Sequence, residues 1–253
     1  MKNAFVFKLT VFVFTAFFIF TIKAESKPSN IVFRSETSLK NREHLTEKLR
    51  TITGWNNLKF DTDGFLQLSE NGKFSNGSAT ARAFLTRALA DKHLMVIEDV
   101  SNRKDVIFCQ VVQGRWTKGA NDKPPVYVIQ IDFADFEQVI GDKKVLASFN
   151  EGWGFLHEVS HVVNNSVDTT HTDEIGECET FINTMRRECG LAERAEYFHT
   201  LSPLTIANPF STKLVRLGFD LTQENSGKKK RYWLVWDANI VGGLENTGNV
   251  ASR

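Results

Sequence analysis

Apolar positions recur at helical spacing in four long stretches of this chain and gather into short runs in five others. Leu39, Leu45 and Leu49 stand among charges from Ser38 to Thr51, which predicts a helix. Ser78 opens a second, carried by Ala79, Ala83, Phe84, Ala88 and Leu89. Between them, Phe60 to Ser75 is rich in Asp, Gly and Asn and reads as turns or a hairpin. Strands are expected at Leu94–Glu98, Val106–Val112 and Val126–Phe133, the last two separated by a loop holding Gly114, Gly119, Pro124 and Pro125. Trp153, Leu156, Val159 and Val163 predict a third helix, opened by Ser148-Phe149-Asn150-Glu151, which has the pattern of a capping box. A fourth runs through Phe181, Ile182 and Met185. Asp173-Glu174 favours its start and Gly190 suits its C-terminal cap. A short helix at Ala195–Phe198 follows. Leu214–Leu221 and Tyr232–Trp236 then flank Glu224-Asn225-Ser226-Gly227 as a hairpin. Its basic run, Lys228 to Arg231, reads as a solvated tip. Strands before the third helix and helices after it indicate an α+β fold.

The third helix carries the chemistry. His157-Glu158-Val159-Ser160-His161 is an H-E-x-x-H string. Residues four apart share a helix face, so both imidazoles can bind one zinc ion, and Glu158 is placed to take a proton from water there. A catalytic zinc site needs a third protein ligand and leaves a fourth position for water. The metzincin extension is absent: Asn164 stands where its glycine would be and Val167 where its histidine would be. The acidic residues downstream are Asp168, Asp173, Glu174, Glu177 and Glu179, the last with Asn183 four positions beyond it.

From His157 to Asn183 the chain resembles the gluzincin branch of the zinc metallopeptidases. The resemblance implies Glu179, eighteen positions after His161, as third zinc ligand. It implies Asn183 as a brace for a ligand histidine, where thermolysin-like members carry aspartate. Asp168, seven positions after His161, is the aspartate-ligand alternative, and Glu177, Glu174, Asp173 and His171 are further candidates. The resemblance covers roughly residues 148–190. It implies a zincin-like fold: a small antiparallel or mixed sheet beside the H-E-x-x-H helix and a second, ligand-bearing helix. In such folds an edge strand can pair with an extended peptide. Val126–Phe133 is the candidate for that edge, and a central core strand is the alternative reading. Donors for a developing oxyanion are sought among Tyr197, His199, His171 and Tyr232. Arg186 and Arg187 either meet a substrate carboxylate or pair with local acids.

At the N-terminus, Met1-Lys2 precedes an apolar run whose unbroken part, Leu9 to Ile22, is short for a membrane span but suits a signal peptide. Residues 1–24 are therefore read as a cleaved signal, an uncleaved anchor being the alternative. Residues 25–253 are read as one zincin-like domain with a C-terminal β-hairpin extension. Removing Lys2, Lys8 and Lys23 from 31 basic residues leaves 28 against 30 acidic, which gives no case for nucleic-acid binding. Of three cysteines, Cys178 and Cys189 lie eleven apart on one helix, roughly 16 Å, too far for a disulfide. Buried thiols are expected, a disulfide from Cys109 to Cys178 or Cys189 being the alternative, with no cysteine-based zinc site.

The sequence thus predicts a secreted or periplasmic zinc metallopeptidase. Its ligands would be His157, His161 and Glu179, its general base Glu158, and its substrate a peptide or protein. No stable membrane span is expected after signal cleavage. A zinc hydrolase of non-peptide amides or esters shares the same site chemistry. A non-catalytic binding protein on the same scaffold would not need Glu158.

Overall fold

A computed structural model describes residues 29–68, 74–115, 123–207 and 213–242. The expected signal peptide lies outside them. Among the described residues, no helix is long and apolar enough to cross a membrane. The first half contains β1 (Ile31–Phe33), α1 (Leu39–Thr53), β2 (Leu58–Phe60), β3 (Leu66–Leu68), α2 (Ala79–Leu89), β4 (Leu94–Asp99), β5 (Cys109–Gln113) and β6 (Val126–Ile131). Then come α3 (Phe133–Glu137), β7 (Ile140–Gly141), α4 (Lys143–Leu146), α5 (Glu151–Val163) and α6 (Gly176–Glu188). The chain continues through β8 (Glu193–Arg194), β9 (Thr200–Leu201), α7 (Pro203–Ala207), β10 (Leu214–Thr222) and β11 (Lys229–Asp237).

The result is mixed α/β with several small sheets. The first sheet has the order β1-β4-β6-β5; β1, β4 and β6 run parallel, and β5 runs antiparallel to β6. Val126–Ile131 is therefore central, which corrects its expected place at the edge: β5 is the edge strand beside α5. Chain order does not give spatial order, and the continuous apolar run of β6 suits a strand flanked on both sides. A second sheet, β7-β11-β10-β8 with β9 also on β10, is built on the predicted hairpin. Apolar side chains form two clusters, one between the first sheet and α1, α2, α5 and α6, the other on the second sheet.

Ser78 caps α2 as expected, and Ser38 caps α1, each accepting a backbone N–H. The cap of α5 differs. Asn150, not Ser148, accepts the N–H groups of Gly152 and Trp153, at 3.0 and 3.3 Å. Ser148 is instead buried, and its carbonyl accepts from Arg186 Nε at 2.9 Å. Gly152 and Gly154 cost helix propensity but permit close packing. A Cβ at Gly152 would meet Lys48 Cβ at 2.7 Å, and one at Gly154 would meet Cys109 Sγ at 2.6 Å. Both α1 and β5 thereby press against α5.

The predicted helix at Ala195–Phe198 does not form. Arg194 pairs with Phe219 across the second sheet, and Ala195 N–H donates to the Gly218 carbonyl at 2.9 Å, so this backbone is committed to β10.

Strand β5 begins three residues later than the pattern suggested, because Phe108 has φ +59°. A bulky residue there is strained, by about 1–3 kcal/mol. Its N–H donates to Asp135 Oδ2 at 3.1 Å, and its carbonyl accepts from Asp132 N–H at 2.8 Å. Asp135 also accepts from Gly242 N–H at 3.0 Å, tying the chain after β11 to the start of β5. Burial pushes the Asp135 carboxyl up from 3.8 to about 6, against the pull of those two N–H donors. The fold therefore holds this proton more tightly than the unfolded chain does between those values. Stability contributed here should fall as pH rises from about 4 to 6, by at most about 1.4 kcal/mol per pH unit, and then level off. Urea titrations of wild type and Asp135→Asn across pH 4–7 check this. The difference between them should carry that slope, and parallel curves would refute it.

Candidate metal centre

Ten of the thirteen residues of α5 are buried, His157 and Glu158 among them, because α1, α6 and the first sheet pack around it. The helix ends at Asn164, and Asn165, with φ +53°, reverses the chain. Ser160 fixes the reversal: its hydroxyl lies 3.0 Å from Ser166 Oγ and accepts from Asn164 Nδ2 at 3.0 Å. Gly176, with φ +74°, packs where a Cβ would sit 2.8 Å from Thr169 N, so the loop also lies tight against the start of α6.

This return brings Asp168 back over the histidines. Asp168 Oδ1 lies 3.2 Å from His157 Nε2, and Oδ2 lies 3.4 Å from His161 Nε2. The imidazoles meet edge to face, their centroids 4.9 Å apart. His157, His161, Asp168 and Cys178 form a group whose ligand atoms all lie within 4.8 Å of one another and could hold a metal ion. Ligands about 2.0–2.2 Å from one tetrahedral ion stand about 3.3 Å from each other, which the two Asp168 distances match.

The far sides of the rings have neighbours too. His161 Nδ1 lies 2.9 Å from the Ser166 carbonyl, a partner of the kind that orients a ligand histidine. His157 Nδ1 lies 3.1 Å from Glu179 Oε2 as an ion-pair contact, without hydrogen-bond alignment. Glu179, fully buried, thus stands behind His157, on the side away from Asp168. Its carboxylate also takes an ion pair from Arg186 and one from Arg194 Nη1 at 3.1 Å. Removing one partner of such a buried set costs about 3–5 kcal/mol. Asn183 does not brace a histidine. Its Oδ1 accepts from Arg186 and from the Arg194 backbone N–H, at 2.9 and 2.8 Å. The set α6–β8 is clamped there. Arg187 pairs with Glu193 outside the site.

The remaining candidates separate clearly. His171, Asp173, Glu174 and Glu177 are exposed and outside the group. Tyr232 is buried in the second cluster. Tyr197 is at the site: its ring stacks 6.3 Å from that of His157, and its hydroxyl helps to hold the Asp168 carboxyl low. Cys178 is in the group although the sequence offered no metal-type cysteine spacing. It is a free thiol, as are Cys109 and Cys189, and donates to the His157 carbonyl at 3.3 Å.

Protein groups alone set a distinct electrostatic pattern. Burial disfavours the His157 imidazolium, yet Asp168, Cys178 and Glu179 outweigh it and hold its pKa well above the usual value. Burial likewise opposes ionisation of Asp168 and Glu179. The histidines and Tyr197 keep Asp168 far below the carboxylate range, and Arg186 with Arg194 does the same for Glu179. Glu158 goes the other way: burial raises it, only partly offset by the two histidines and the Val111 N–H on β5. One strongly ionised carboxylate thus faces the histidines, and a second carboxyl with raised proton affinity lies beside them. This division suits ligand and proton acceptor respectively.

No protein-family model, curated protein or solved structure matches this chain.

Proposed function

We propose that this chain is an exported, zinc-dependent hydrolase that cuts peptide bonds. The observation that carries the reading is the convergence of His157 Nε2, His161 Nε2 and both Asp168 oxygens, with buried Glu158 beside them. On this geometry Asp168 takes the third-ligand place that the gluzincin resemblance gave to Glu179, and Glu179 becomes the carboxylate that orients His157. His157, His161 and Asp168 would hold a zinc ion, which would supply a Lewis acid and an activated water. Glu158 then does the proton work. Its carboxylate accepts a proton from the attacking water and delivers it to the leaving amine nitrogen as the C–N bond breaks. The water oxygen ends on the carbonyl carbon. Tyr197, whose ring stacks on His157, is the hydroxyl assigned to the carbonyl oxygen. The mixed sheet with an antiparallel edge beside α5 supports a zincin-like arrangement. Val111 N–H of β5 reaches Glu158, so a peptide aligned along this strand would pass the proton acceptor. The apolar N-terminus supports export.

The test is zinc titration of chelator-treated protein, followed by incubation with a degenerate peptide library. About one zinc per chain and cleavage restored by zinc are expected. Failure to bind zinc sinks the reading. Zinc binding without turnover of peptide, amide or ester points to the binding protein instead.

A further inference from the structure

Beside His157 and Glu158 a cavity of about 210 Å³ lies between α5 and the second sheet. Sites for drug-sized ligands run to roughly 300–1,000 Å³, so this one has room for a single side chain. Phe108, Phe136, Phe149 and Trp236 form its aromatic wall. The Phe108 ring centroid lies 5.1, 4.9 and 5.1 Å from those of the other three. The strained backbone of Phe108 sets this wall, held by Asp132 and Asp135 from α3 and its cap. Strained residues of this kind gather at active sites and ligand clamps, where the surroundings hold them in place.

Resting on the peptidase reading, we infer that this cavity is a specificity pocket for a large apolar, preferably aromatic, residue next to the bond being cut. Its charged neighbours leave little for an ionic side chain. Arg186 and Arg194 are committed to Glu179, so a substrate carboxylate finds no free cation there and faces Glu158. A substrate ammonium would lose its water for Glu158 alone. His199 sits at the wall against Trp236, centroids 5.7 Å apart, and burial beside Arg194 and Lys213 keeps it neutral. Aromatic side chains gain the most from such a wall, by area and by ring geometry.

The library digest, read by mass spectrometry, tests this. At one of the two positions flanking the cut, Phe, Tyr, Trp, Leu and Met should exceed Ala, Asp and Lys by at least about tenfold. His199→Trp narrows the pocket from its half-buried rim and should shift the preference toward Ala. Cleavage indifferent to both flanking residues overturns the pocket and leaves the peptidase reading standing. Independently, wild-type protein should bind N-acetyl-phenylalanine amide saturably by NMR, and N-acetyl-alanine amide much more weakly. Equal or absent binding overturns the pocket whether or not any peptide is cut. Saturable, selective binding without cleavage supports the pocket and removes the peptidase reading.

Discussion

Asp168→Ala is expected to lose zinc far more completely than any other acidic substitution in the chain. The variant removes both oxygens that face the histidines, at 3.2 and 3.4 Å, and leaves two nitrogens where a catalytic site needs three protein ligands. Glu179→Gln touches only the far side of His157, where such partners change metal affinity by about 10–100-fold. Its larger penalty should be in stability, because Arg186 and Arg194 lose their buried counter-charge. Cys178→Ala supplies the contrast, since its thiol already serves the His157 carbonyl. Zinc titration of the three variants, with a urea melt of each, decides among them. A Glu179→Gln protein that loses zinc while Asp168→Ala retains it would restore the glutamate-ligand arrangement. Zinc lost only in Cys178→Ala would mean a closed, structural site.

Glu158→Gln should keep the metal and cost about 10²–10⁴ in kcat. The amide fills the same space, but it cannot accept a proton from water. Burial has already raised the proton affinity of the native carboxyl toward that of a general base. Steady-state rates on any peptide from the library, with zinc content measured on the same sample, check the prediction. Near-native turnover in a zinc-loaded variant would remove Glu158 from the proton path.

The H-E-x-x-H string was legible because its meaning is local: i, i+4 on a helix fixes two rings on one face whatever surrounds them. The helices α1 and α2 were legible for a similar reason, each with its own serine cap. The place of Glu179 was not. Spacing puts it on the inner face of α6, as the structure does, but cannot say which imidazole nitrogen it meets. Nor does it reveal that Arg194, from β8, arrives to neutralise it. Asp168 was visible as an alternative, but its approach depends on the reversal at Asn165 and on Ser160 pinning Ser166. The sequence left β6 open between edge and centre, because chain order does not show that the last strand of the first sheet inserts between β4 and β5. The aromatic pocket draws on residues from Phe108 to Trp236, a separation no short motif can encode.

Three of the four facing donors, His157, His161 and Asp168, are contained in one helix end and the loop that returns over it; only Cys178 comes from α6. Closing so short a loop costs little chain entropy, and the cost grows only slowly with length. An ion there would act as a local clasp on residues that are already neighbours. Its release would loosen the 164–169 return without prying apart the two sheets. Glu179, by contrast, is bound to α6 and β8, so its loss would be felt across the molecule. On the proposed reading, two modes of failure would follow: one confined and reversible by adding zinc, the other global and indifferent to it.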